Sequence, residues 1–333
     1  MVVSPRPVVA VDAMGGDLAP GALVEGAVLA HEAGLGVILV GHEAELRPLL
    51  PASSGVQIVH AADVVGMDAK PGDAKRLDDA SVRVALRLVA EGRACGAVSA
   101  GNSGATLFAA VLELGRVEGV DRPAIATSLP RSDGGTLVLV DIGTTTDAQP
   151  HHLASFALLG EAYARVLGMD APRVGLLSNG SEPGKGNRLV QESAPLIEAL
   201  PLDFVGNVEP DAAFAGACDV LVSDGFTGNI LLKTAEGVIG MLRRVAGDAI
   251  RGDLRGRLAG LLLRPAARAL RDELDWRSRG GALLLGVPAP VVVAHGRADP
   301  VAVRAAIQLA HYAHGHGLVG AVARGLAARP GPG

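Results

Sequence analysis

A chain of 333 residues with 30 basic and 35 acidic side chains, formal net charge −5, has room for one large or two modest domains. That balance argues against general nucleic-acid binding. Hydrophobic residues make up 49% but aromatics only 2%, so the core must come from Ala, Val, Leu and Ile, and stacking platforms for single strands are missing. The two cysteines, Cys95 and Cys218, fit neither a disulfide framework nor a metal cluster and suit a reducing cytoplasm. The start, Met1 to Pro7, lacks the apolar segment of a secretory signal, and no apolar stretch reaches transmembrane length without charges. A cytoplasmic location is therefore expected, with peripheral contact at the inner membrane face left open.

Short β-branched or apolar runs alternate with helical patterns along almost the whole chain. Strands are predicted near 8–11, 37–40, 56–59, 97–100, 124–128, 136–140, 174–177, 204–206, 220–222, 283–287 and 291–294. Helices are predicted near 21–33, 80–91, 104–114, 152–167, 187–199, 228–246 and 299–314. This alternation implies an α/β fold over 1–326, a doubly wound and mostly parallel sheet with helices on both faces. Right-handed crossovers would align the strand-end loops along one edge, where open sheets bind ligands. Residues 249–276 break the rhythm. Leu254, Leu258, Leu261 and Leu262 fall at helical spacing among Arg251, Arg255, Arg257, Arg264, Arg268 and Arg271, and Pro265 divides the run. They read as an amphipathic protrusion, with a dimer interface and a membrane or acidic partner both open. Residues 327–333 read as a disordered tail.

Two predicted strand ends carry glycine-rich loops. Ser223-Asp224-Gly225-Phe226-Thr227-Gly228-Asn229 precedes a helix expected to begin near Ile230 and to carry Lys233. Its glycines let the backbone approach a ligand, and the next helix aims N–H groups at an anion. The second loop runs from Ser178 to Asn187 and contains Gly184-Lys185-Gly186. Lysine occurs only at Lys70, Lys75, Lys185 and Lys233, so Arg supplies 26 of the 30 basic residues. Two of the four lysines thus sit beside these loops, where a compact ammonium is useful. Chance placement is the alternative.

Several motifs agree with one family. Val9-Ala10-Val11-Asp12-Ala13-Met14-Gly15-Gly16-Asp17, Ser99-Ala100-Gly101-Asn102-Ser103-Gly104-Ala105, Arg122-Pro123-Ala124, the two loops above, Leu231 to Gly237, and Gly280-Gly281-Ala282 leading to His295-Gly296 resemble bacterial phosphate acyltransferases, the PlsX family. The resemblance runs from about residue 8 to 310. It implies a fold related to phosphotransacetylase and isocitrate dehydrogenase, and acyl transfer from acyl carrier protein to inorganic phosphate for phospholipid synthesis. It also implies a homodimer, protruding helices at 249–276 associated with dimerisation and membrane contact, and a downstream glycerol-3-phosphate acyltransferase. On these motifs, Asp12, Gly15, Gly16, Asn102, Ser103, Gly104, Gly184, Gly186, Asn187, Asp224, Gly225, Phe226 and Gly228 become candidate substrate and phosphate contacts. The chain departs from the family pattern at Ala80, Thr145, Val293 and Arg297, and at Ala289 or Pro290.

Phosphate is itself a nucleophile and a thioester an activated acyl donor, so no Ser or Cys nucleophile is required. The protein must position the two and stabilise an oxyanion. Lys185 is expected to steer phosphate over a nest of N–H groups from Gly184, Gly186 and Asn187. Asn229 offers an amide to the oxyanion or phosphate, and His295 a proton or hydrogen bond. Asp12, Asp17, Asp141, Asp147 and Asp224, all at predicted strand ends, either orient Lys185 or serve as caps and turns. Lys233 is read as supporting.

Other readings fail. Gly180 to Lys185 is one residue short of a Walker A loop, and no Gly-x-Gly-x-x-Gly follows the first strand. There is no Gly-x-Ser-x-Gly elbow, and His311, His314 and His316 lack a supporting carboxylate or Cys cluster. No metal or other cofactor is expected. The competing expectations are a phosphotransacetylase-like enzyme using short acyl-CoA, and a catalytically silent paralogue binding acyl carrier protein or membrane.

Overall fold

The computed structural model describes residues 7–252, 262–265 and 280–328. All eleven predicted strands form: β1 (Val8–Asp12), β2 (Gly36–Gly41), β3 (Gln57–His60), β4 (Gly96–Ser99), β5 (Ala124–Pro130), β6 (Thr136–Val140), β7 (Arg173–Leu177), β8 (Asp203–Val208), β9 (Val220–Val222), β10 (Ala282–Leu285) and β11 (Val291–Val293). The helices are α1 (Gly21–Glu32), α2 (Glu43–Leu46), α3 (Ser81–Ala90), α4 (Ser103–Leu114), α5 (Pro150–Val166), α6 (Arg188–Glu198), α7 (Pro210–Ala215), α8 (Gly225–Gly252), α9 (Pro300–Gly315) and α10 (Leu318–Ala327).

One sheet holds all eleven strands in the order β3-β2-β1-β4-β11-β10-β5-β6-β9-β7-β8. It is mostly parallel, as expected, but the pairs β11–β10, β10–β5 and β5–β6 are antiparallel. Three reversals make the two parallel halves run in opposite directions. The register then sets where their ends fall. Asp12 pairs with Ser99, Ser99 with Val293, and Val293 with Ala282. The neighbouring Leu283 pairs with Ala126, Ala126 with Val140, and Val140 with Val222. The last residues of β1, β4 and β11 therefore lie within one residue of the row that ends β6 and β9. Instead of a single edge, two carboxyl edges face each other across the middle of β5.

Alternate strand residues point to opposite faces. Val9 and Val11 join Leu23, Phe156, Tyr163 and Ile307 in one core layer. Ala10 and Ile38 join Leu86, Ala109 and Leu221 in the other. Helices thus cover both faces, which is the sandwich expected from the sequence.

Three expectations shift. First, α8 begins at Gly225, not near Ile230, because Asp224 caps it. The Asp224 Oδ1 accepts the Phe226 and Thr227 N–H groups at 3.0 and 2.9 Å, and Oδ2 accepts the Thr227 hydroxyl at 2.6 Å. Second, α10 and the short α2 and α7 were not expected. The four-residue spacing of Leu318, Val322 and Leu326, all buried, was legible for α10. Its last residue, Ala327, was expected to open the tail and is helical instead; residues 329–333 lie outside the described residues. Third, of the protrusion at 249–276, residues 249–252 continue α8, and Leu262 and Leu263 are 75% and 56% exposed. Leu254, Leu258, Leu261, Arg255 and Arg268 lie outside the described residues.

Candidate active site

The facing carboxyl edges open onto a cleft of about 1060 Å³. One wall is α8, which contributes Asn229, Leu232, Lys233, Glu236, Ile239 and Arg243 at spacings of three and four, one side of the helix. The opposite wall carries Ser103 at the start of α4 and the loop His295–Arg297 after β11. Between them the floor is apolar, with Ile125 and Leu129 of β5, Ile142, Val293 and, from α7, Phe214. The volume lies just above the range of about 300–1,000 Å³ for small-molecule sites.

The strand ends that shape this cleft are fixed by buried carboxylates. Asp12 accepts the Ser99 hydroxyl at 2.7 Å, and Ser99 in turn accepts the Gly101 N–H at 3.1 Å. The loops after β1 and β4 are thereby locked together. They touch so closely that a Cβ on Gly15 would lie 2.6 Å from the Asp12 carboxylate and 2.9 Å from the Gly101 nitrogen. Gly16 lies against Ala100 and Gly296. On the other edge Asp141 accepts N–H groups from Ile125, Thr144 and Thr145 at 3.0, 3.0 and 2.8 Å, and the Thr144 hydroxyl at 2.5 Å. Burial pushes both carboxyls above the ordinary aspartate range, and these hydrogen bonds oppose the shift. Both aspartates act as loop organisers, the structural role anticipated for most of this group. Asp224 caps α8, and Asp147 is exposed on the approach to α5.

The first turn of α8 sits on the Asp141 loop. A Cβ on Gly228 would fall 2.0 Å from the Asp141 carbonyl oxygen and 2.4 Å from the Ser223 hydroxyl. Only glycine fits, and that contact seats Asn229, the next residue, at the cleft. Gly225 donates its N–H to the Thr145 carbonyl at 2.9 Å, whereas Phe226 is 58% exposed and outside the lining.

His295 faces a mixed field. Its Nδ1 accepts the Arg297 N–H at 3.1 Å. The neutral ring then carries its proton on Nε2, a hydrogen-bond donor. Burial first, then the nearby Lys233 ammonium, hold its pKa below the usual histidine range, while Glu236 and Asp17 pull the other way. Lys233 pairs with Glu236 at 2.8 Å. Asp17 ties the loop after β1 to this corner: its N–H donates to the Gly296 carbonyl at 2.7 Å, and its carboxylate lies 3.7 Å from Arg297.

The structure thus brings together Ser103, Asn229, Lys233 and His295. It does not bring Lys185. That side chain is exposed, and none of Gly184, Lys185, Gly186 and Asn187 lines the cleft. The expected nest is also engaged: Gly186 donates to Asn179 Oδ1 at 3.0 Å, Lys185 N–H to the Glu182 carbonyl at 3.1 Å, and Asn187 caps α6 through the Val190 N–H at 3.0 Å. Asn102 likewise works as scaffold. Its Oδ1 caps α4 through Ala105 at 3.0 Å, and its Nδ2 donates to the Met67 and Ala69 carbonyls at 2.8 and 3.1 Å. Gly104 lies one residue past Ser103, in an adjoining pocket. The sequence reading missed Glu236 and Arg243, although both continue the spacing that starts at Asn229. Three departures touch the site: Val293 and Arg297 line the cleft, and Thr145 lines the adjoining pocket. Ala80 is buried beside Asp63.

Residues 8–319 match the family described as "Fatty acid synthesis protein". The chain belongs to this family. Its curated relatives carry the name phosphate acyltransferase, so it is a member of the phosphate acyltransferase (PlsX) family and an acyltransferase by class. The protein of Anaeromyxobacter sp. strain K is 46% identical over 97% of this chain and 95% of its own length. That of Desulforudis audaxviator is 46% identical over 96% of each. Among solved structures, a phosphotransacetylase from Streptococcus pyogenes superposes with a TM-score of 0.63 at 20% identity, covering 93% of this chain and 94% of that one. A branched-chain phosphotransacylase from Enterococcus faecalis gives 0.60 at 16% identity, covering 93% and 99%. These likenesses establish the fold.

Proposed function

We propose that this chain transfers a fatty acyl group from acyl carrier protein to inorganic phosphate, giving acyl phosphate for phosphatidic acid synthesis. The observation that carries the reading is a largely apolar cleft of about 1060 Å³ whose facing walls carry Asn229 and Lys233 on one side and His295 on the other. A long acyl chain has an apolar floor to lie on, along Ile125, Leu129, Phe214 and Ile239. The thioester carbonyl then sits between the two walls, where the Asn229 amide and the His295 Nε2–H stabilise the developing oxyanion. Lys233, held by Glu236, adds positive potential. The phosphate oxygen attacks the carbonyl carbon, the C–S bond breaks, and the proton of hydrogen phosphate passes to the departing thiolate. The reaction as written needs no cofactor and no protein nucleophile.

Support for a homodimer comes from the outer side of α8. Phe226, Ile230, Val238, Met241, Leu242 and Val245 are each 46–61% exposed and turn away from the cleft side of the helix. A second copy of α8 would cover such a stripe. Among the described residues no helix is long and apolar enough to cross a membrane. Contact with an anionic membrane surface and hand-over to a glycerol-3-phosphate acyltransferase complete the proposed setting.

Purified protein incubated with long-chain acyl carrier protein and phosphate should form acyl phosphate, with short acyl-CoA a much poorer donor. Efficient use of acetyl-CoA would favour a phosphotransacetylase-like activity, and no product from either donor would make the chain a silent paralogue.

A further inference from the structure

We propose that inorganic phosphate binds beside the cleft, in a second pocket at the Arg122 guanidinium, and meets the thioester where the two cavities adjoin. The inference rests on the acyl-transfer reading above and places its co-substrate. The second pocket, about 600 Å³, lies between α4 and the loop after β6. Ser103, Ile125 and Gly143 line both cavities, so the two are immediate neighbours.

The charge balance of this pocket favours an anion. Arg116, Asp121 and Arg122 are its ionised lining residues, two positive against one negative. The Asp121 carboxylate is already engaged by His152 Nε2 at 2.9 Å, His151 Nε2 at 3.4 Å and Arg116 at 3.5 Å. The hydrogen bond from His152 is the leading cause that lowers its pKa. Arg122, by contrast, has no ion pair or hydrogen bond among the described residues while it lines the cavity. A guanidinium so placed offers a fork of donors matched to phosphate oxygens. Ser103 adds a neutral hydroxyl to the lining, while the Thr144 and Thr145 N–H groups and the Thr144 hydroxyl are held by Asp141 and fix the opposite side of the pocket.

A divalent cation is the rival occupant, since ligand atoms of Asp121, His151 and His152 all lie within 4.8 Å of one another. His152 argues against it. Its Nδ1 accepts the Gln149 N–H at 2.9 Å. The ring proton therefore sits on Nε2, the atom that faces Asp121, which leaves no lone pair there for a metal.

Phosphate also occurs in the prosthetic arm of an acyl carrier, so the test separates the two sources. Inorganic phosphate is titrated into wild-type protein and Arg122→Gln by calorimetry without acyl donor, and the KM values for phosphate and for acyl carrier protein are measured separately. The expected result is at least a tenfold loss of phosphate affinity by both readouts in Arg122→Gln, a carrier KM within twofold of wild type, and partial recovery in Arg122→Lys. Unchanged phosphate affinity overturns the proposal, and so does a raised carrier KM with an unchanged phosphate KM. Calorimetric binding lost in Arg122→Gln, in a wild-type protein that makes no acyl phosphate, upholds the phosphate site and refutes the acyl-transfer reading instead.

Discussion

The loops that leave β7 and β9 start side by side, since Leu176 pairs with Val222. Both are rich in glycine, and each has a lysine within or just beyond it. Yet the loop after β9 folds directly into α8 and delivers Asn229 and Lys233 to the cleft. The loop after β7 stays exposed, with its N–H donors turned inward onto Asn179 and the Glu182 carbonyl. The difference lies in what each loop rests on. Gly228 is pressed against the Asp141 carbonyl of a neighbouring loop and fixes its neighbour. In the loop after β7, by contrast, a Cβ on Gly184 would meet nothing within 4 Å, and the atoms nearest to one on Gly186 belong to Val190 of the following helix and Ser178 at the loop's own start. A glycine-rich strand end becomes a site when packing on a neighbouring loop aims it.

Substitutions in the two loops test that contrast. The largest effect is expected for Asn229→Ala. Loss of an oxyanion donor should lower kcat about a hundredfold, about 2.7 kcal/mol, with the donor KM little changed. A raised KM at constant kcat would move Asn229 to ground-state binding. Next comes Gly228→Ala, for which overpacking should cost about 2 kcal/mol in unfolding experiments. Gly184→Ala, at φ +89 in open space, should cost about 1 kcal/mol from backbone strain alone. Equal losses would erase the packing contrast between the loops.

His295→Asn should lower kcat about tenfold, the worth of one hydrogen bond. The pH profile gives its sign. A depressed pKa keeps the ring neutral through pH 7; below about 6.5, the ordinary value, protonation puts a hydrogen on Nδ1, removes the acceptor that holds the ring to the Arg297 N–H, and should lower activity only there. That acid limb should disappear in the Asn variant. A limb above 6.5 that persists in the variant would assign the titration elsewhere. The smallest effect is expected for Lys185→Ala, less than threefold in kcat or in phosphate KM. A hundredfold loss there would restore the loop after β7 to the mechanism.

Much of this was legible in the sequence. Apolar runs mark the nine inner strands, which are largely buried and read as continuous apolar segments, whereas the edge strands β3 and β8 are partly exposed. Asp12, Asp141 and Asp224 were correctly placed at strand ends, and the cap-and-turn reading suits all three. What could not be read was the sense of β5 and β10. Their antiparallel pairing depends on long-range register, and it decides which loops face each other. Without it, Lys185 and Asn229 looked equivalent. The start of α8 was misplaced for a local reason: glycines at 225 and 228 argue against helix until the carbonyl beneath them is known.

The most direct measurement is a single turnover, with enzyme in excess over long-chain acyl carrier protein and phosphate added last. Direct attack in the cleft requires that carrier thiol and acyl phosphate appear together in equal amounts, with no thiol released before phosphate and no acyl group on the protein. Thiol released without phosphate, or a trapped acyl-protein adduct, would contradict it.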